Sequence, residues 1–147
     1  MSVSSPSRPA TAARRLLGLV LAAAGTAHLT VARDEFQAQV PAWVPVDADL
    51  VVVGSGVLEI ALGLGLLAPV SARRQRLHGW LTAAFFVAIF PGNVAQYVEG
   101  TDAFGLDSDR ARLVRLFFQP VLVAWALWST GAWRSWRDGR TTGRSAG

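Results

Sequence analysis

Four stretches of predominantly apolar residues, at about 13–32, 48–70, 77–98 and 113–133, dominate the 147-residue chain, with only short charged joins between them. Crossing a hydrocarbon core of roughly 30 Å takes about 20 helical residues, so each stretch is long enough to span a bilayer. A span must satisfy its own backbone hydrogen bonds in lipid, which a helix does, and the period-two alternation of a membrane barrel is missing. The expected fold is therefore all-α: an integral membrane four-helix bundle running up-down-up-down. Composition agrees, with 52% hydrophobic and 16% charged residues, against roughly 25% charged in a soluble domain. The polar, Ser/Pro-rich residues 1–12 are expected to form a disordered tail, 13–133 the membrane domain, and 134–147 a basic tail.

The joins set the orientation. Arg8, Arg14 and Arg15 precede the first stretch, Arg73, Arg74 and Arg76 separate the second from the third, and Arg134, Arg137, Arg140 and Arg144 follow the fourth against Asp138 alone. The other two joins hold Asp34, Glu35, Asp47 and Asp49, and Glu99, Asp102, Asp107 and Asp109, with Arg33, Arg110 and Arg112 as exceptions. Basic loops stay inside, so both termini are expected in the cytoplasm and the chain in the plasma membrane. Trp80, Trp133 and Trp136 fall at the inner boundary, and Trp43 and Tyr97 at the outer one, where amphipathic rings favour the headgroup layer. A rival reading takes Arg14-Arg15 and the apolar run after it as a cleaved signal peptide, but that run continues through Val31, longer than a usual signal core. The net charge of +4 comes from arginines beside apolar runs, which argues for topology and against a nucleic-acid partner; the partner is the lipid bilayer. Arginine without lysine, beside abundant Ala and Gly, points to a GC-rich bacterial genome. The absence of cysteine excludes disulfides, thiol relays within the chain and cysteine-ligated metal.

Polar residues inside the spans carry the functional signal, because a charge near the bilayer centre costs about 2.5–3.5 kcal/mol on the mildest scale. They are His28, Glu59, Asn93, Gln96, Arg115 and Gln119. Given the expected orientation, they fall at similar depth in the outer half, with Glu59 nearest the middle. Glu59 shares a face with Ser55, Gly56 and Gly63, and His28 one with Gly25 and Gly18; small residues mark close helix packing. Arg112, Arg115 and Gln119 form a stripe, and Pro91 frees the carbonyl of Val87 near Asn93. Each polar residue also has a bland reading: Asn93 and Gln119 as interhelical glue, Arg115 as a snorkelling side chain, His28 as a satisfied bundle histidine. His28 and His78 lie toward opposite ends, so they cannot share a haem, and no cluster has the spacing of a metal site; no metal is expected. Gly54-Ser55-Gly56 and Gly63-Leu64-Gly65 lie inside a span and read as packing glycines, not a nucleotide loop.

The fragments Gly25-Thr26-Ala27-His28, Val40-Pro41-Ala42-Trp43-Val44-Pro45, Ser55-Gly56-Val57-Leu58-Glu59, Phe90-Pro91-Gly92-Asn93 and Arg115-Leu116-Phe117-Phe118-Gln119 occur in that order. In them the chain resembles the DoxX-like family of small four-span membrane proteins, with Gly92 where Ala is expected. The resemblance implies a four-helix membrane bundle. Some such relatives are subunits of quinone-linked oxidoreductases, including thiosulfate:quinone oxidoreductase, and others belong to oxidative-stress assemblies. The functional expectation is a pocket toward the outer leaflet lined by His28, Glu59, Asn93, Arg115 and Gln119. It would take a quinone or similar lipid-soluble carrier, with no covalently bound cofactor. His28, Asn93 and Gln119 would donate to its carbonyls, Glu59 would accept protons, and electrons would pass to an oxidoreductase partner subunit. Pro41, Trp43 and Pro45 are expected to form a lid. Two other readings stand beside this one: a structural or regulatory subunit, and a lipid-modifying enzyme with Glu59 and His28 as its acid/base pair.

Overall fold

The computed structural model describes residues 7–103 and 105–144, with the side chains of 139–144 left aside. The described residues are all-helical: α1 (Arg8–Leu29), α2 (Arg33–Gln37), α3 (Ala48–Leu67), α4 (Ala72–Glu99), α5 (Asp109–Ser129) and α6 (Ala132–Arg144). Local chemistry fixes the ends. Asp47 accepts from the N–H groups of Asp49 and Leu50 at 3.0 and 3.2 Å to start α3, and Ser71 and Ser108 cap α4 and α5 in the same way. Gly100, at φ 67°, closes α4 in the left-handed conformation that favours glycine.

Three helices, α3, α4 and α5, are long and apolar enough to cross a membrane. Their outward faces agree: Phe117, Phe118 and Val121 on α5 and Val87 on α4 are all more than half exposed, a density of apolar surface that water-facing helices do not carry. The remaining long helix, α1, has 22 residues and bears Arg14 and Arg15 in its first half.

Two antiparallel pairs make up the packing. Along α1 and α3, glycines meet backbone to backbone. A Cβ on Gly25 would lie 2.5 Å from the Gly56 carbonyl, and one on Gly63 would lie 2.6 Å from the Gly18 carbonyl. Such small-residue contacts let helices approach closely enough for dispersion and side-chain bonds to hold them in lipid. Along α4 and α5, side chains make the seam. The core joins the two pairs through Leu17, Leu21, Leu62, Leu66, Ala83, Phe85, Phe86 and Ala126. At the end carrying the chain termini, the buried Arg14 donates to the carbonyl of Leu66, in the last turn of α3 where no intrahelical donor remains. Trp125 Nε1 donates to the carbonyl of Ala13 at 3.0 Å, tying α5 to α1.

Three features depart from the expected boundaries. Helix α1 begins at Arg8, inside the expected tail, because Ser7 accepts from the Ala10 N–H and Pro9 suits the first turn; residues 1–6 lie outside the described residues. The expected basic tail starts as α6, after Gly131 (φ 72°) breaks the chain direction at the end of α5. A short helix, α2, stands in the join between the first two long helices, its Asp34 and Glu35 favouring the positive N-terminal end.

The packing glycines separate cleanly by consequence. Gly63→Ala and Gly25→Ala should each lower the melting temperature, by strain on the order of 1–3 kcal/mol, since backbone cannot yield as a flexible side chain does. Gly54, with open space around its Cβ position, should instead accept Ala with a gain of up to about 1 kcal/mol. Thermal unfolding of the three variants in one detergent provides the comparison.

Candidate functional site

At the end of the helices away from the chain termini, the α1–α3 contact brings His28 onto Glu59. Nδ1 of His28 lies 2.9 Å from Oε2 of Glu59, with both side chains over nine-tenths buried. The two atoms are in close contact, and neither makes a hydrogen bond. The Cβ of His28 rests on Gly56, and the ring of Phe36 from α2 lies against the imidazole.

A second polar group runs along α4 and α5. Arg115 donates to Gln96 Oε1 at 3.1 Å and to Gln39 Oε1 at 3.0 Å, and Gln39 Nε2 lies 3.3 Å from Gln96 Oε1. One turn deeper, Asn93 Nδ2 donates to Gln119 Oε1 at 3.0 Å, and Gln119 Nε2 donates to the carbonyl of Phe86. The expected opening in α4 at Pro91 thus receives its side-chain donor one residue before Val87. Arg112, the top of the same stripe, points away from the site. It donates to the carbonyls of Gly100 and Thr101 and pairs with Asp102 and Asp109, holding the α4–α5 loop.

Between these elements lies a cavity of about 290 Å³, open on one side and lined by His28, Glu59, Asn93 and Arg115 together with Phe36, Gln39, Ser55 and Ile89. Pro41, Trp43 and Val44, from the loop between α2 and α3, also line it. Four of the five expected ligand-facing residues therefore share one space. Gln119 is joined to them through Asn93 but lines a different cavity, apolar and about 630 Å³, between α4 and α5. Pro45 is exposed and does not line the polar cavity. Among the described residues, no group of three or more His, Asp and Glu side chains could hold a metal ion.

The loop between α2 and α3 is held at its base by a clip. Arg33 and Gln37, one turn apart on α2, both reach Asp49 at the start of α3: Arg33 through both carboxylate oxygens at 2.6 and 2.5 Å, Gln37 at 2.6 Å. The hydrogen bond to Asp49, and then its charge, raise the pKa of the Arg33 guanidinium, so the clip stays ionised. Residues 38–47 thus form a loop closed at its base.

A family model described as Domain of unknown function (DUF8561) matches residues 17–130. The chain belongs to that family. The matched segment of this DUF8561 member includes every residue of the cavity and leaves out Arg14 and α6. The family description assigns no activity and makes no link to DoxX-like proteins. No curated protein and no solved structure matches the chain.

Sequence reasoning overlooked Gln39 and Phe36, and it noted Gln96 without giving it a role in the site. Gln39 lies in a join, and its partner Arg115 is 76 positions away; no spacing rule reaches that far. Gln96 was the findable one, as a buried amide on the face of Asn93.

The Asn93–Gln119 bond is open to direct measurement. Asn93→Leu and Gln119→Leu should each destabilise the protein by about 1–3 kcal/mol, because each leaves a buried amide unpaired. The double variant should cost less than the sum of the two, with a coupling on the order of 0.6 kcal/mol, as is usual between membrane helices. Strict additivity in thermal unfolding would show that the two amides act separately.

Proposed function

We propose that this DUF8561 protein is a four-span membrane protein that binds the polar head of a lipid-soluble small molecule, of which a quinone is the favoured class. The observation carrying this reading is the convergence of His28, Glu59, Asn93 and Arg115, from four different helices, on one cavity. A structural subunit needs polar contacts between helices, but it does not need a space among them. At about 290 Å³ the cavity sits at the lower end of ligand sites, roughly 300–1,000 Å³, a size suited to a single ring. Arg115 and Asn93 offer N–H donors for carbonyl oxygens, as a quinone requires. The imidazole and carboxyl of His28 and Glu59 lie close enough to pass a proton between them, as the reduced form of such a carrier requires. The resemblance of the five ordered fragments to DoxX-like proteins points to the same class. Electrons would enter or leave through an oxidoreductase partner.

In this reading α1 is the fourth span. Its 22 residues rise about 33 Å, and its glycine seam runs along the apolar α3. The arginine-rich ends face the cytoplasm with both termini, and the cavity lies toward the outer leaflet. A reporter fused after Gly147 should be active only in the cytoplasm, and one inserted near Asp107 only outside. Activity of the C-terminal reporter outside would show that the span count is wrong.

Glu59 tests the chemistry. Glu59→Gln keeps shape and polarity but cannot titrate. It should insert and melt like the parent, still bind a soluble benzoquinone, and lose the proton exchange that accompanies quinol binding, followed with a pH indicator in weakly buffered detergent. A Gln variant with the parent's proton exchange would sink proton handling and favour the structural or regulatory subunit.

A further inference from the structure

The lining of the polar cavity shows on which side it opens. Among its lining residues, Trp43, Ala88 and Pro91 are also exposed, so they stand at its rim. Ala88 and Pro91 belong to α4, and across from them Val51 and Ser55 line the cavity from α3. The other sides are tied. Gly25 meets Gly56 backbone to backbone between α1 and α3, and Asn93 donates to Gln119 between α4 and α5. The loop between α2 and α3 is fastened to α3 by the Arg33 and Gln37 bonds to Asp49, and to α5 through Gln39 and Arg115. The Gln39 carbonyl also rests against α4, 3.6 Å from where a Cβ on Gly92 would stand.

The seam between α3 and α4 is closed at one end only. Near the short turn 68–71 that joins them, the His78 ring packs on Gly65, 3.1 Å from where a Cβ would stand. Toward the other end the polar cavity lies between the two helices. The rim there falls within the apolar length of both. Ser55 is about 10 Å along α3 from its start at Ala48, and Leu58 and Val87, close to the rim on either side, are exposed. Exposed apolar side chains on both edges turn an opening toward hydrocarbon. Ser55 and Ala88 are small, which keeps the gap clear of bulky side chains.

We infer that the gap between α3 and α4 is a lateral mouth, through which the ligand's head enters from the bilayer while its hydrocarbon tail stays outside, past Ser55 and Ala88. This rests on the head-group reading above and adds the ligand's second half: an amphiphile dissolved in lipid, with an alkyl or isoprenoid chain.

The test uses the full chain in phospholipid nanodiscs. The probe is a dimethoxy-methyl-benzoquinone with a decyl tail and a diazirine on the tail carbon nearest the ring. Irradiation should label the α3 peptide around Ser55 and the α4 peptide around Ala88, and excess unlabelled decyl ring should compete that label away. Probe merely dissolved in the bilayer labels every lipid-facing helix and does not compete. Ala88→Trp sets an indole in the mouth and should lower the competable label by roughly tenfold, the effect of modest overpacking. Phe118→Trp, on the exposed face of α5, should leave the label at the parent's level. The mouth is overturned, while the head-group reading stands, if competable label falls on residues 38–46 or on α5, or if Ala88→Trp labels like the parent. The same holds if the ring without a tail binds but no label competes. If neither ring binds the parent, the head-group reading fails first and the mouth with it.

Discussion

The close approach of α1 and α3 is the constraint on which the rest of the site depends. His28 reaches Glu59 only because Gly25 and Gly56, one turn or less away on each helix, let the two backbones touch. A side chain at either glycine would hold the helices apart by more than the pair's 2.9 Å contact can absorb. The carboxyl would then be left buried against apolar neighbours, which is the expensive arrangement in a bilayer. The glycines thus do more than pack: they decide whether a buried ionisable pair is tolerable here.

The polar residues divide by how well they are satisfied. Gln119 is bonded at both ends of its amide, Asn93 donates to it, and Gln96 exchanges bonds with Gln39, Arg115 and the Thr101 carbonyl. Such networks hold helices in register, and glue alone would account for them. His28 Nδ1 and Glu59 Oε2 are in contact without a hydrogen bond, although both are buried. A purely structural pair would be expected to bond, since a hydrogen bond is what offsets desolvation. A buried pair at a cavity wall with no hydrogen bond of its own, beside a well-bonded network, is the arrangement in which a ligand or proton has something to add.

Much of this was legible in the sequence, and the gaps have physical causes. Glu59 and His28 stood out because both interrupt apolar runs on a glycine-lined face, and helical spacing places such residues at a helix contact. The long helices were visible from apolar length, and of the bracketing prolines Pro41 lines the cavity and Pro45 does not. Gln119 fell on the expected stripe, yet it faces the far side of its own partner; a stripe fixes a helix face but not which of two flanking cavities that face divides. Helix α2 and Gln39 were missed because five residues in a polar join carry too little periodicity to read, and because Arg33 and Gln37 become a clip only when folding brings Asp49 to them.

The case of α1 shows why apolar content and membrane fitness are different quantities. Arg14 lowers the hydropathy of this helix as though its charge faced lipid. In the folded chain that guanidinium is buried against the Leu66 carbonyl, one of the orphaned acceptors at the end of α3, where the helix dipole places negative partial charge. The arginine supplies that helix end with a donor, although its own buried Nε has no partner, and Trp125 closes the neighbouring turn of α1 from α5. Lipid would then meet Leu16, Leu19 and Val20, all about half exposed, on the opposite side of the helix. A helix whose charge is buried against its neighbours and away from lipid can cross a bilayer as part of a bundle although it is less apolar than one that crosses alone. In the proposed topology, α1 therefore depends on α3 for its place in the membrane as much as for the contact that completes the site.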